Sequence, residues 1–270
     1  FLTRRRADID FVYHMGAISA TTETDVDLIV NSNLRLSQTL WRWCAEHRVP
    51  LIYASSAATY GDGANGFTDE DGVEALALLR PLNAYGWSKH AFDRWVARQI
   101  ASGTGVPPHW AGLKFFNVYG PNEHHKGAMM SAVTKSYPAA VSGDSVQLFR
   151  SHHPDYEDGG QMRDFVYVRD CVDLMLWMRD SPPSEGLYNV GSGRAQTWLE
   201  LMSALYQAVD RPLEVRWVDT PVEIRDRYQY FTQADMSKLR SAGYDRTFMS
   251  VEEGVTDYVL RYLSTADPYA

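Results

Sequence analysis

Three short apolar runs, separated by two segments of helical periodicity, constrain the first 116 residues of this chain more than any other feature. Residues 9–15 (Ile-Asp-Phe-Val-Tyr-His-Met), 49–54 (Val-Pro-Leu-Ile-Tyr-Ala) and 110–116 have strand length and apolar character. Residues 26–47 carry helical spacing, with Leu36, Leu40, Trp43 and Cys44 on one side, and a second helix is expected over 84–101. Residues 61–83 are rich in Gly, Asp and Pro and read mainly as loop. Strand, helix, strand, helix, strand predicts an α/β fold with a parallel sheet, because parallel neighbours need long crossovers.

After residue 116 the pattern changes. Residues 117–160 look irregular, with Gly, Pro, His and Asp scattered through them. A strand at 163–168 leads into a helix at 170–179, followed by a strand at 187–190, a helix at 197–209 and a strand at 213–218. Helices are expected near 234–242 and 251–263. There is no internal repeat and no low-complexity linker, so the two halves are expected to interleave.

The 270 residues are 45% hydrophobic, enough for one large core or two modest ones. A net charge of −8 and a pI near 5.5 argue against a nucleic-acid partner but not against a phosphate-bearing ligand. No run of 18 apolar residues suggests a membrane span, and residues 1–10 carry arginines rather than a signal-type stretch. Cys44 and Cys171 fall in helix-like segments and read as buried free thiols, which suits a cytoplasmic location.

Tyr85 and Lys89 stand four residues apart near the start of the second helix, on one face. An ammonium beside a phenol favours the phenolate, so such a pair can exchange protons near neutral pH; taken in isolation, a pair of this spacing is better read as a solvated surface pair. Strand 49–54 runs into Ser55-Ser56-Ala57-Ala58-Thr59-Tyr60-Gly61. Ser56 could then hydrogen-bond the oxygen that Tyr85 protonates, or serve as a turn or cap serine. Strand 110–116 ends in Phe116-Asn117-Val118-Tyr119-Gly120-Pro121, a third strand end of this kind. Arg163 has the guanidinium fork that suits diphosphate oxygens, with a strand-edge ion pair to Asp164 or a neighbour as the alternative. His124, His125, His152 and His153 lack ligand-like spacing, so no metal is expected.

Four segments occur in order: Ser55 to Gly61, Tyr85-Gly86-Trp87-Ser88-Lys89, Phe116 to Pro121, and Arg163-Asp164-Phe165-Val166-Tyr167-Val168. Together they resemble the extended short-chain dehydrogenases of the NAD-dependent epimerase/dehydratase family. Glu123-His124-His125-Lys126-Gly127, Gly191-Ser192-Gly193-Arg194, Arg227-Tyr228-Gln229, Phe231 to Asp235 and Val251 to Val255 narrow the resemblance to its ADP-glyceromanno-heptose 6-epimerase branch, over about residues 11–263.

The resemblance implies a Rossmann-type parallel sheet with a smaller α/β substrate-binding domain. Residues 1–120 would form part of an NADP-binding domain, with 170–195 and part of the C-terminal region returning to it. Residues 121–169 and 196–263 would be mainly substrate-binding. No Gly-rich turn precedes Ile9, so roughly 50–60 residues, about two βα units, are expected ahead of Phe1.

It also implies epimerisation at C6 of an ADP-heptose through a transient ketone, using tightly held NADP, with NAD possible. Tyr85, Lys89, Ser56 and Lys126 would be catalytic. Met15, Gly16, Ala17, Ile18, Ser19, Ser32, Asn33, Val118, Lys89 and Lys126 would meet the cofactor; the family carries Asn where this chain has Ser32. Asn117, Ala128, Lys135, Phe149, Arg150, Ser151, His152, Arg163, Tyr228 and Ser56 would hold the nucleotide sugar. Lys135 and Arg150-Ser151-His152 depart from the family pattern. A homo-oligomer, a pentamer, is implied, and a product used in lipopolysaccharide core assembly.

Two other readings stay open. One is a nucleotide-sugar 4-epimerase or 4,6-dehydratase; Ala57-Ala58 stand where related dehydratases carry Asp-Glu, and a 4-epimerase leaves Glu123 to Gly127 unexplained. The other is a non-catalytic cofactor-binding protein, against which the intact Tyr85/Lys89 pair counts.

Overall fold

The computed structural model describes residues 2–225, 228–267 and 269. Arg227, part of one motif above, lies outside the described residues. In chain order the elements are β1 (Val12–His14), α1 (Val26–Ile29), α2 (Leu36–His47), β2 (Leu51–Ser56), α3 (Val73–Leu78), α4 (Ala84–Ser102), β3 (Trp110–Phe115) and β4 (Asn117–Tyr119). Then follow α5 (Ala132–Ser142), β5 (Val146–Phe149), β6 (Met162–Tyr167), α6 (Val168–Asp180), β7 (Gly186–Val190), β8 (Ala195–Thr197) and α7 (Trp198–Ala208). The chain continues through β9 (Val215–Val218), α8 (Val222–Arg225), α9 (Ser237–Ser241) and α10 (Val251–Tyr258). It forms two compact units.

The first unit holds the residues up to Phe115, Trp177–Val190 and Asp235–Tyr244. Its four-stranded sheet has the order β1-β2-β3-β7, parallel throughout, as the alternation of apolar runs and helices predicts. Tyr53 pairs with Gly112 across β2 and β3, and a Cβ at Gly112 would stand 2.5 Å from the Tyr53 ring and from Leu187, so any larger residue would displace these side chains. Against the sheet sits an aromatic cluster. Trp41, fully buried in α2, meets Tyr53, Phe92, Trp95 and Trp110 edge-on, each such pair adding about 0.5–1.5 kcal/mol beyond simple burial. Residues 26–47 form one continuous helical stretch, but Val30–Arg35 winds as π-turns between α1 and α2.

The second unit holds Phe116–Leu176, Gly191–Ala234 and the residues from Asp245 onward. β6 pairs with β4 in parallel and with β8 antiparallel, while β5 pairs in parallel with β9. Its core joins Tyr119, Val133, Phe165, Leu201, Leu205, Val255 and Tyr258. Thr197 with Glu200 and Ser250 with Glu253 form capping boxes that start α7 and α10.

The stretch read as irregular and the one read mainly as loop both contain regular elements. Residues 117–160 contain β4, α5 and β5, and residues 61–83 contain α3. α5 starts where Ser131 accepts from the Thr134 backbone, and it tolerates Pro138 inside it. Cys44 and Cys171 are buried free thiols, with burial pushing the Cys44 thiol up to about 12.

Candidate active site

In the first unit the chemistry gathers where β2 ends. Asn83 caps α4 by accepting from the Gly86 backbone N–H at 2.8 Å, which fixes the first turn that carries Tyr85. Gly86 is buried, and a Cβ there would lie 2.8 Å from the Ala58 carbonyl oxygen. The glycine of Tyr85-Gly86-Trp87-Ser88-Lys89 is thus what lets α4 approach the turn after β2.

That approach brings Ser56, Tyr85 and Lys89 together. The Ser56 side chain hydrogen-bonds the Tyr85 phenol, and its Oγ also accepts from the Ala58 backbone N–H at 3.1 Å. Burial raises the Tyr85 pKa; the Ser56 bond opposes this and the Asp93 charge adds to it. Lys89 is 4% exposed and donates to the Ala54 carbonyl at 2.7 Å. Burial lowers its pKa to about 8, against the pull of Asp93. With Lys89 buried and Tyr85 half-buried, the two do not form a solvated surface pair, and Ser56 is both a turn cap and a partner of Tyr85.

The segment expected to pass under a cofactor follows β1. Asn33, buried in the π-turn, accepts from the Ile18 N–H at 2.8 Å and donates to the Ile18 carbonyl at 2.9 Å. It also donates to Ser88 Oγ at 2.9 Å, and Ser88 donates to the Tyr85 carbonyl at 2.7 Å. Asn33 therefore ties residues 15–19 to the helix that bears Tyr85. Ser32 lies beside it, half-buried. No atom comes within 4 Å of a Cβ position on Gly16, so this segment lies open at the C-terminal edge of the sheet, where parallel sheets take dinucleotides. The open strand end together with Tyr85 and Lys89 fits a nicotinamide dinucleotide.

Four side chains that the motifs did not single out complete this region. His14 Nε2 lies 2.8 Å from Ser37 Oγ, which itself donates to the Asn33 carbonyl, so His14 donates from Nε2. Burial and the charge of Lys89 hold His14 down to about 4, hence neutral. Asp93, Lys114 and Tyr53 form a buried polar group beneath Lys89. Asp93 follows Lys89 by four positions, and Lys114 interrupts an apolar strand; both signals were present in the sequence.

The second unit holds the remaining expected residues. Asn117 and Val118 lie in β4, both half-buried. Glu123 is buried and accepts from the Ser131 N–H at 2.7 Å and the Ser131 and Thr134 hydroxyls at 2.6 and 2.5 Å. Its carbonyl accepts from the Lys126 N–H at 2.9 Å, so the turn bearing Lys126 is anchored to α5. The Lys126 side chain is exposed, as is Ala128, whose carbonyl lies 3.4 Å from Lys135 Nζ.

Arg163 is 7% exposed on β6. Its guanidinium lies over the rings of Tyr228 at 5.3 Å and Trp198 at 6.0 Å, and donates to the Met162 carbonyl at 2.8 Å. An ion pair with Asp164 is excluded, because that carboxylate is saturated by the Ser192, Gly193 and Ala234 N–H groups and the Ser192 hydroxyl. Among the described residues no carboxylate pairs with Arg163. A buried, aromatic-flanked guanidinium without a counter-ion is suited to an anion. Phe149 meets Tyr228 edge-on, and the His152 N–H donates to the Tyr230 hydroxyl at 2.9 Å. Exposed Arg150 pairs with Asp158 at 2.8 Å, and the same carboxylate accepts from the Ser151 N–H. Arg150 is therefore already neutralised within the loop. Among the described residues no three His, Cys, Asp or Glu side chains converge as a metal site.

Residues 3–191 match the model of the NAD dependent epimerase/dehydratase family. The chain belongs to this family. An ADP-L-glycero-D-manno-heptose-6-epimerase of Nitratidesulfovibrio vulgaris is 50% identical over 262 residues, covering 97% of this chain and 79% of that protein. The enzyme of the same name from Fusobacterium nucleatum is 45% identical, covering 97% and 80%. Among solved structures, Helicobacter pylori ADP-L-glycero-D-manno-heptose-6-epimerase superposes with a TM-score of 0.77 at 27% identity, covering 98% of this chain and 76% of that one. Thermus thermophilus UDP-glucose 4-epimerase, in complex with NAD, gives 0.75 at 26% identity, covering 95% and 78%. As a family member the chain is an α/β epimerase-type protein of Rossmann architecture.

Proposed function

We propose that this enzyme epimerises ADP-D-glycero-D-manno-heptose to ADP-L-glycero-D-manno-heptose at C6, with Tyr85 as the proton-transfer residue. The single observation that carries the reading is the grouping of buried Ser56 and Lys89 with half-buried Tyr85, found in a chain whose relatives at up to 50% identity bear that enzyme name. The cofactor is assigned as NADP on the resemblance alone, with NAD the alternative. When bound, it supplies hydride acceptance and return.

Tyr85 takes the C6 hydroxyl proton in one pose of the sugar and returns it to the ketone oxygen in that same pose, whereas the oxygen of the other pose is served by Lys126. Lys89, charged below about pH 8, favours the phenolate, and Ser56 holds the phenol and the substrate oxygen in line. Residues 15–19, tied down by Asn33, give the dinucleotide a fixed floor. Arg163 takes the diphosphate, flanked by Tyr228 and Trp198. Asn117, Phe149 and the 150–152 loop line the nucleotide sugar. Lys126 is the second proton carrier. The product feeds lipopolysaccharide core assembly in the cytoplasm, and the working form is a homo-oligomer, assigned as a pentamer.

The test is Tyr85→Phe, which keeps the ring and removes the proton. A rate loss of about 10²–10⁴ with an unchanged melting temperature is expected. Near-normal turnover would remove Tyr85 from the chemistry.

A further inference from the structure

Beneath the Tyr85–Lys89 centre, wholly within the first unit, lies an ion pair that the reaction itself does not use. Lys114 Nζ on β3 stands 3.4 Å from Asp93 Oδ2 on α4, with 0% of either side chain exposed. Only five lysines occur in the chain, and two of them, Lys89 and Lys114, are buried here. Removing two charges from water is costly, and an apolar pair of the same volume is often as stable or more so. A pair kept under an acid–base centre invites a role in that centre.

The hydrogen bonds give that role a path. Asp93 accepts from the Tyr53 hydroxyl at 3.2 Å and the Ser55 hydroxyl at 2.6 Å. Lys114 donates to Thr59 Oγ1 at 2.7 Å, Thr59 donates to the Ser56 carbonyl at 2.8 Å, and Lys89 donates to the Ala54 carbonyl at 2.7 Å. Residues 54, 55 and 59 are each held by one of these three charged groups, and residue 56 is held in turn by Thr59. The Lys114 ammonium also sits 4.5 Å from the centre of the Tyr60 ring, whose hydroxyl donates to Asn189 at 2.6 Å.

We propose that Asp93 and Lys114 are positioning residues for the Tyr85–Lys89 centre: their buried ion pair clamps the end of β2 to α4 and sets the net charge that Tyr85 and Lys89 feel. The proposal deepens the reading of Tyr85 and Lys89 given above and rests on it. Lys89 and Lys114 carry two positive charges and Asp93 one negative, leaving the cluster at +1. Asp93 acts on both groups, disfavouring the Tyr85 phenolate and holding the proton on Lys89, and the Lys114 ammonium 3.4 Å from it offsets that charge.

Other titratable groups face the cluster from every side. His14 on β1 feels Lys89 but is held neutral. His90 on α4 feels Lys114 and is likewise held down to about 4. Tyr53 on β2 and Tyr60 in the following turn are pushed upward by burial and by neighbouring carboxylates, so both remain phenols. Asp69 and Asp71 add negative potential at Lys114, and Asp71 is paired with Lys238 at 2.8 Å. None of these supplies a substitute for either member of the pair.

The experiment records kcat/KM against pH for the wild-type enzyme, Asp93→Asn, Lys114→Met and the double variant, with melting temperatures alongside. Lys114→Met takes the cluster to zero and is expected to move both limbs to higher pH by about one unit. Asp93→Asn takes it to +2 and is expected to move both limbs down by a similar amount. The double variant restores +1 and should bring the limbs back, and Lys114→Arg should leave them in place. If Lys114→Met does not fold, Lys114→Gln makes the same charge change and keeps a donor toward Thr59. Limbs that stay fixed in the single variants while only stability or overall rate falls would overturn the proposal. Tyr85→Phe distinguishes the two layers: if that variant stays active, the reading of the centre has failed, whereas an inactive Tyr85→Phe with immobile limbs refutes only the role of the pair.

Discussion

A β-carbon on Gly86 would stand 2.8 Å from the Ala58 carbonyl oxygen, so the helix bearing Tyr85 and Lys89 is as close to the end of β2 as backbone packing allows. Gly86→Ala must push α4 outward. Overpacking of this kind costs about 1–3 kcal/mol of stability. Activity should suffer more, by about 10²-fold, because displacements near 1 Å cost that much at a reacting centre. Thermal unfolding and kcat measured on one preparation check this, and full activity with lowered stability would separate the packing from the chemistry.

The alkaline limb of the pH profile should report Lys89. Its ammonium is needed charged, and burial lowers its pKa to about 8, so kcat/KM is expected to fall as pH rises through about 8. Stability moves in the opposite sense. The unfolded lysine holds its proton up to 10.5, so burial of Lys89 costs stability below about pH 8, and the cost is relieved between those values. A profile flat to pH 10 would show that the Lys89 charge is not required.

Arg163 has no carboxylate partner among the described residues, and its guanidinium is proposed above to take the substrate diphosphate. Arg163→Ala should raise KM about 10- to 100-fold with a smaller change in kcat, since an anchor binds ground and transition states alike. Arg163→Lys should recover only part of this, because an ammonium cannot reproduce the fork. A loss confined to kcat would instead put Arg163 at the reacting carbon.

Lys126 lies exposed on a turn whose backbone is anchored by Glu123. C6 of the heptose is outside the ring, so its oxygen moves when the ketone turns to present its other face, and a second proton carrier is then needed. Lys126→Met, assayed separately with each C6 epimer, should abolish oxidation of one epimer and spare the other. Equal slowing of both with weaker binding would indicate a phosphate contact instead.

Much of this was legible in the chain. The parallel sheet follows from strand-length apolar runs separated by helices, and the Ser56–Tyr85–Lys89 centre from motifs at strand ends and at one helix start. Asp93 and Lys114 were missed although their signals were visible: Asp93 continues the i, i+4, i+8 face of Tyr85 and Lys89, and Lys114 stands inside an apolar strand. What joins them is a tertiary contact between α4 and β3, which spacing alone does not specify. α5 and β5 were hidden for related reasons. α5 contains Pro138, and β5 has four residues stabilised by pairing with β9, far away in sequence. The tie from Asn33 to Ile18 and Ser88 is equally non-local.

The most direct measurement is to supply ADP-D-glycero-D-manno-heptose carrying deuterium at C6 and to follow the label by NMR and mass spectrometry in ordinary water. Oxidation and reduction at C6 within one active site predict inversion at that carbon with the deuterium retained in the product. Loss of the label to solvent, inversion at another carbon, or release of water from the sugar would rule out oxidation and reduction at C6 within one site.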